Sequence, residues 1–414
     1  MQASTASAIA AQRRAALAQR VPVWPRLTMG DWFDRLATEY AEREHIYTPE
    51  KIYTYAESRQ IADRLAKSLM ALGVQRREHV AMLFPTVPEL AFLQLAVAKI
   101  GCVSVPLNER MGAVDLAYQV KQSDSVCLIA MDHCEDRHYI EKLQHMLPEM
   151  QGAPGAWRAE SFPRLRQVVV QSPSGVRYGG ALDWESFLRL GDGISDEALA
   201  ERQKASRYPD EVTLICYTSG TTGSPKGVML THDMLMRSAY GTAWSECYDD
   251  GERLASPLPL HHIFGYKIGF LSVLFVGGAY IPQALFDPGK FLALLEASRA
   301  TRIASVPTIA VALLNHPDLK KYDLSSLRAM INAAAPTPLW VWEALQRELG
   351  VKELFTAWGM TEVAGAAMYT PFGAPLELIS TAVGKEKPGG ASGVEEFGGL
   401  QAQFKLIDPS TKED

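Results

Sequence analysis

The strongest chemical signal in the chain is the run Tyr217-Thr-Ser-Gly-Thr-Thr-Gly-Ser-Pro-Lys-Gly-Val228. Glycines stand at 220, 223 and 227, hydroxyls at Thr218, Ser219, Thr221, Thr222 and Ser224, and one lysine at 226. Glycine lets the backbone approach a ligand closely and turn its N–H groups toward it. Hydroxyls add donors, and Lys226 adds a point charge suited to phosphate oxygens. The arrangement reads as a cradle for a polyphosphate. It is not a Walker A loop, which needs Gly-Lys followed by Ser or Thr at the start of a helix. Here Lys226 lies between Pro225 and Gly227, and a strand is expected next. An ordinary Ser/Thr/Gly surface turn would rarely run this long directly after an apolar strand.

Three more groups of residues follow in order: Pro259-Leu-His-His-Ile-Phe-Gly265, Asn332-Ala-Ala-Ala-Pro336 and Ala357-Trp-Gly-Met-Thr-Glu362. With Tyr217–His232, reading YTSGTTGSPKGVMLTH, they resemble the signature motifs of the adenylate-forming superfamily, which includes acyl-CoA synthetases, luciferases and peptide-synthetase adenylation domains. The resemblance runs from about Met29 to Asp408 and is closest to the large N-terminal domain of an acyl-CoA synthetase.

The resemblance implies roles residue by residue. Thr218, Ser219, Gly220, Thr221, Thr222, Gly223 and Lys226 would hold the phosphates of ATP. Asn332, Ala333, Ala334, Ala335 and Pro336 would form the adenine turn. Ala357, Trp358, Gly359, Met360 and Thr361 would complete the nucleotide site, with Trp358 stacking on adenine where the family generally has Tyr, and Thr361 reaching the α-phosphate. Glu362, with Thr221, would hold Mg²⁺, because a hard oxygen donor beside substrate phosphates suits that ion. His262 would wall the carboxylate pocket, and the catalytic set is then Lys226, His262, Thr361 and Glu362. ATP, Mg²⁺ and coenzyme A are the implied cofactor and co-substrates. A carboxylic acid would be activated as an acyl-adenylate with loss of pyrophosphate, then passed to a thiol.

Apolar lining is expected from Phe264–Phe270, Val306–Ala312 and Ala364–Met368, whose small residues leave room for an aliphatic tail first and an aryl group second. The alternatives are an adenylation domain that loads a carrier-protein thiol and a non-catalytic nucleotide-binding remnant. The family's ribose-binding Asp motif, hinge and mobile C-terminal domain cannot be matched before Asp414, so the expectation is a truncated large domain with the C-terminal catalytic domain absent. The cluster His133, Cys134, His138 and His145 fits no standard four-ligand zinc spacing.

The elements that must position these motifs alternate between short apolar strands and helical segments. His79–Phe84, Val87–Ile100, Cys102–Val105, Ala113–Gln122 and Ser125–Ala130 form a first strand-and-helix series. Thr213–Tyr217, Val228–Thr231, a helix from His232, Arg302–Ser305, Pro307–Asn315, Leu327–Asn332, Pro338–Leu349 and Glu353–Ala357 form a second. The expected fold class is α/β: two stacked, mostly parallel sheets with flanking helices and a small, incomplete β-barrel-like region. The expected divisions are a leader at 1–28, a large domain at 29–374 split at about 210/211, and a partial β-rich subdomain at 375–414.

Length and composition set the outer limits. The chain has 414 residues, 47% hydrophobic and 21% charged, with a net charge of −6, so a large core is affordable and a basic nucleic-acid surface is not indicated. The apolar stretches Pro88–Pro106 and Ile268–Phe286 are broken by charged, Gly and Pro residues, which argues against a transmembrane span. Five cysteines without a C-x-x-C pair read as free thiols of a cytoplasmic protein. The Arg-containing, acid-free residues 1–30 read as an Ala-rich N-terminal helix, with a transit peptide as the other reading. Partners are expected to be small molecules, with a homodimer possible but unsupported by any motif.

Overall fold

The computed structural model describes residues 3–218 and 223–404. Ser219, Gly220, Thr221 and Thr222, most of the strand expected at Gln403–Ile407, and the closing turn at 408–414 lie outside the described residues.

Local sequence signals set the helix starts. Thr54 and Glu57 form a reciprocal capping box ahead of Tyr55–Ala71, so two backbone N–H groups of the first turn are satisfied. Pro88, Pro288 and Pro307 open Pro88–Lys99, Pro288–Ala297 and Pro307–Leu314, where a missing N–H costs nothing. Strands Val103–Pro106, Cys127–Met131, Arg302–Ser305 and Ala329–Asn332 are buried at every position, as parallel strands covered on both faces must be.

Two seven-stranded sheets result. The first runs Glu353–Phe355, Ala329–Asn332, Arg302–Ser305, Arg253–Ser256, Ala279–Pro282, Glu44–Tyr47, Ile52–Thr54; only the last pairing is antiparallel. The second runs Lys226–Thr231, Val212–Thr218, Val103–Pro106, His79–Leu83, Cys127–Met131, Gln167–Gln171, Leu182–Asp183, with the hairpin of its first two strands antiparallel. The sheets do not follow a division at 210/211. Glu44–Tyr47 and Ile52–Thr54 belong to the sheet built mostly from later residues, and Val212–Thr218 and Lys226–Thr231 belong to the sheet built from earlier ones. One continuous apolar core joins both layers.

Residues 3–28 share that core. In helix Ala3–Arg20 the residues Ala6, Ala10 and Leu17 are buried. Arg13 pairs with Glu353 at 2.9 Å, and Trp24 packs at a tilt against Trp32, Tyr240 and Phe275 while donating to Asp233 at 2.8 Å. Among the described residues the region after 374 closes no barrel. Its strand Lys385–Glu386 adds to the edge of a hairpin, Ala357–Met360 with Gly365–Tyr369, making a three-stranded sheet. Glycine-rich turns and 3₁₀ segments follow at Gly390–Ser392 and Glu395–Phe397, because residues 389–399 hold too many glycines to sustain strand pairing. Among the described residues no helix is long and apolar enough to cross a membrane.

Candidate active site

Strands Ala329–Asn332 and Glu353–Phe355 lie side by side in the first sheet, and the chain leaving their C-terminal ends builds one side of a cavity of about 510 Å³. That is where ligands bind in parallel α/β sheets. Ala333–Thr337 and Thr356–Thr361 supply this side. His262, Ile263, Phe264 and Ile268 supply a second, Gly365 and Ala366 a third, and Ile379–Val383 the rim.

The turn at 333–337 is stapled from beneath. The fully buried Asn332 accepts from the Ser305 hydroxyl at 3.0 Å and donates to Thr337 Oγ1 at 3.0 Å, while Trp342 Nε1 donates to the Thr337 carbonyl at 3.2 Å. Ala334 sits at φ 74°, a left-handed conformation that holds the turn open at a steric cost. Asn332 therefore does not face the cavity as a member of the adenine turn would. Its side chain is spent on the turn itself, and Ala333, Ala334, Ala335 and Pro336 are the residues that line the space.

The hairpin after Thr356 carries Trp358, Gly359, Met360 and Thr361. Trp358 is 40% exposed, lines the cavity and meets Phe404 at 5.5 Å with the two rings nearly perpendicular, so it stands at the site rather than sunk in the core. Gly359 tolerates no side chain: a Cβ there would lie 2.0 Å from the Gly365 carbonyl oxygen. The strand shifts register at this point, and the turn Thr361–Val363 ends on Ala364 at φ 55°. Thr361 is buried against the cavity, and Glu362, next to it, is exposed.

The described ends of the Ser/Thr/Gly motif, Thr218 and Lys226, lie opposite each other in the hairpin of Val212–Thr218 with Lys226–Thr231. Lys226 and Gly223 are exposed, and the strand from Lys226 packs against the turn Thr361–Val363. The two motifs are thus adjacent although well over a hundred residues apart in sequence. Neither Lys226 nor Gly223 lines the cavity itself.

The turn at His261–His262 is held by the other sheet. Thr86 Oγ1 accepts from the Leu260 N–H at 3.3 Å, Cys216 Sγ donates to the His261 carbonyl, and His261 Nδ1 lies 3.1 Å from buried Glu109. Burial is the largest single influence on Glu109 and works to raise its pKa, but the hydrogen bond and charge of His261, with a backbone donor and Arg110, together outweigh it and hold the carboxyl below its usual value. His262 points the opposite way, into the cavity; burial, aided by His261, lowers its pKa and favours the neutral ring. Of the apolar stretches expected to line an acyl group, Phe264, Ile268, Gly365 and Ala366 line this cavity and none of Val306–Ala312 does. Among the described residues no group of three or more His, Cys, Asp or Glu side chains converges on a metal position. A single exposed carboxylate such as Glu362 would still fit Mg²⁺ if phosphates bound beside it, because that ion keeps most of its water ligands.

Sequence reasoning missed Thr337, Thr356 and the rim Ile379–Val383. No residue type or spacing singles them out; only the return of the chain over the site brings them there.

The fold is shared with solved carboxylate–CoA ligases. The crystal structure of the anthranilate CoA ligase AuaEII with anthranoyl-AMP superposes with a TM-score of 0.77 at 20% identity, covering 94% of this chain and 67% of that one. The profile of the AMP-binding enzyme family matches residues 33–411, and the chain belongs to that family. The relative named "Putative acyl-CoA synthetase YngI" from Bacillus subtilis (strain 168) is 36% identical over 340 residues, which is 81% of this chain and 61% of that protein. A 3-[(3aS,4S,7aS)-7a-methyl-1,5-dioxo-octahydro-1H-inden-4-yl]propanoyl:CoA ligase from Rhodococcus jostii (strain RHA1) is 30% identical over 86% of this chain and 66% of its own length. The chain thus spans less than two thirds of these curated relatives.

Proposed function

We propose that this chain carries the ATP- and acid-recognition site of an acyl-CoA synthetase, an acid–thiol ligase that activates a carboxylic acid as an acyl-adenylate. The observation that carries this reading is the one cavity lined by the 333–337 turn, by Trp358–Thr361 and, from another side, by His262, with the strand from Lys226 packed against Thr361–Val363. Adenine would lie between the 333–336 turn and Trp358, and the phosphates would extend toward Thr218–Gly223 and Lys226. Glu362 and Thr221 would hold Mg²⁺, which spreads the charge of the leaving pyrophosphate. The acid would enter past His262, whose neutral ring does not trap the carboxylate as an ion pair, and one carboxylate oxygen would attack the α-phosphorus.

The apolar wall of Ile263, Phe264 and Ile268 supports an aliphatic or alicyclic acyl group, in keeping with the names of relatives such as the medium-chain acyl-CoA ligase ACSF2 of Danio rerio. Coenzyme A is the proposed thiol acceptor. Five free cysteines, four of them buried, support a reducing cytoplasmic setting.

The test is calorimetric titration with acyl-sulfamoyl adenosines bearing short, long and aryl acyl groups, which fill nucleotide and acyl sites together. Tight binding with a preference for one acyl class supports the reading. A folded chain that binds none of them refutes it.

A further inference from the structure

The turn that carries His262 follows strand Arg253–Ser256 of one sheet and is tied at three places to residues of the other. Thr86, just past His79–Leu83, takes the Leu260 N–H at 3.3 Å, and the Cys216 thiol, within Val212–Thr218, reaches the His261 carbonyl at 3.3 Å. Both ties are weak, one because it is long and the other because a thiol is a poor donor. The third differs in kind. Glu109, just past Val103–Pro106, is 4% exposed, and its Oε2 lies 3.1 Å from His261 Nδ1. That oxygen has no further hydrogen bond among the described residues, while Arg110 stands 3.5 Å from Oε1 and Lys142 Nζ donates to the Glu109 carbonyl at 2.6 Å. A buried carboxylate is a poor way to hold a turn when only packing is needed, since apolar side chains of similar volume do as well. What it adds is direction.

His261 and His262 are neighbours whose rings face opposite ways, one to Glu109 and the other to the cavity. Fixing the first therefore aims the second. Beyond the pair the chain has no slack: the His262 N–H donates to the Pro259 carbonyl at 3.1 Å, the Tyr266 N–H donates to the His262 carbonyl at 3.0 Å, and a Cβ at Gly265 would stand 2.3 Å from the Pro259 oxygen. The Phe264 N–H donates to His262 Nδ1 at 3.2 Å. That nitrogen presents a lone pair, so the neutral ring carries its one proton on Nε2. Burial favours the neutral ring, and a charge on His261 works the same way.

We propose that Glu109 is a positioning residue for acid recognition: acting through His261, it holds the 260–264 turn so that His262 offers its Nε2–H to an oxygen of the bound acyl group. This rests on the adenylate-site reading above. A neutral donor serves both the carboxylate oxygen of the free acid and the carbonyl oxygen of the acyl-adenylate, without holding the charged form back. The nucleotide half of the ligand does not depend on this device, because the 333–336 turn and Trp358 follow other strands.

The test compares, by calorimetry, AMP, sulfamoyl adenosine without an acyl group, and sulfamoyl adenosine bearing an octanoyl or a benzoyl group, the tighter of which is carried forward. In Glu109→Ala the two ligands without an acyl group should bind within about twofold of wild type, while the acyl compound should lose about tenfold, the scale of one well-aimed hydrogen bond. Glu109→Gln, whose amide oxygen still accepts from His261 Nδ1, should restore most of that loss. The loss should vanish in a chain already changed His262→Ala, because the two residues act in series. An acyl affinity unchanged in Glu109→Ala, an equal fall for every ligand, or a loss that persists in full beside His262→Ala would each overturn the proposal. Should Glu109→Ala not fold, Glu109→Leu combined with His261→Leu removes both partners without stranding either, and it must show the same split between ligands. Nitrogen NMR of the histidine-labelled wild type gives a separate reading: His262, identified by its disappearance in His262→Ala, must be the Nε2–H tautomer, and the Nδ1–H form overturns the proposal. Acyl groups that add nothing to wild-type affinity also overturn it but leave the nucleotide half of the site standing, whereas binding of no ligand at all refutes the adenylate site itself.

Discussion

Replacing Asn332 with Ala separates two roles that the motif alone leaves fused. The side chain makes two neutral hydrogen bonds, to Ser305 and Thr337, each 3.0 Å long and buried. Each such bond contributes about 0.5–1.5 kcal/mol, and stranding a buried hydroxyl costs about 1–3 kcal/mol. The two hydroxyls can recover part of this by relaxing, so the expected loss of stability is about 2–4 kcal/mol. Urea unfolding followed by tryptophan fluorescence reads it, because Trp342 is buried and its Nε1 donates to the Thr337 carbonyl on the same turn. AMP affinity should fall only as far as the turn loosens, and adding Thr337→Val should cost less in the Asn332→Ala background than alone, since the partners are coupled. A variant of undiminished stability whose AMP affinity drops more than about tenfold would show that Asn332 touches the nucleotide, and the reasoning from its buried partners would be wrong.

Trp358→Ala should do the reverse: little change in unfolding midpoint, because the ring is 40% exposed, but a loss of AMP binding on the scale of about 1–3 kcal/mol, the usual worth of a base stacked on an aromatic ring. Gly359→Ala drives a Cβ into the backbone of Gly365 and Ala366, so it should destabilise the chain by about 1–3 kcal/mol and weaken binding together, as read by thermal unfolding and AMP titration. Lys226→Ala should leave stability unchanged, because the side chain is exposed, and slow acid-dependent pyrophosphate release about 10²–10³-fold. Glu78 is held below its ordinary pKa by the paired bonds from Arg166 at 2.9 and 2.7 Å. Its contribution is present above the ordinary carboxylate pKa and is lost as pH falls through the lowered one. The stability gap between wild type and Arg166→Ala should therefore close as urea unfolding is repeated from neutral to strongly acid pH.

Much of this architecture was legible because local chemistry and global structure agree. The helix at Ala113–Gln122 and the strand at Arg302–Ser305 have the predicted ends, since burial on one helix face and continuous apolar runs leave little choice. Glu44–Tyr47 and Ile52–Thr54 were not legible: such short segments carry no periodicity, and their partner Ala279–Pro282 is chosen by long-range packing. The π-helix at Phe264–Leu271 hides in a uniformly apolar stretch where neither a period of two nor one of 3.6 stands out. The hairpin Ala357–Tyr369 is masked by the register shift at Gly359.

The exchange of strands between the layers has a consequence for how the polypeptide acquires its shape. Neither half of the chain owns a finished sheet. Residues 3–210 alone would leave Val103–Pro106 as a bare edge, and residues 211–404 alone would leave Ala279–Pro282 equally open. Bare edges of apolar strands recruit other chains, so separately produced halves should aggregate, whereas co-expressed halves have matching edges and can complement each other. During synthesis the early sheet must wait for Val212–Thr231 to emerge, so folding is governed by distant contacts and is slow. A single backbone cut near residue 210 in the finished molecule should, by the same logic, leave a nicked pair that stays together and melts as one unit.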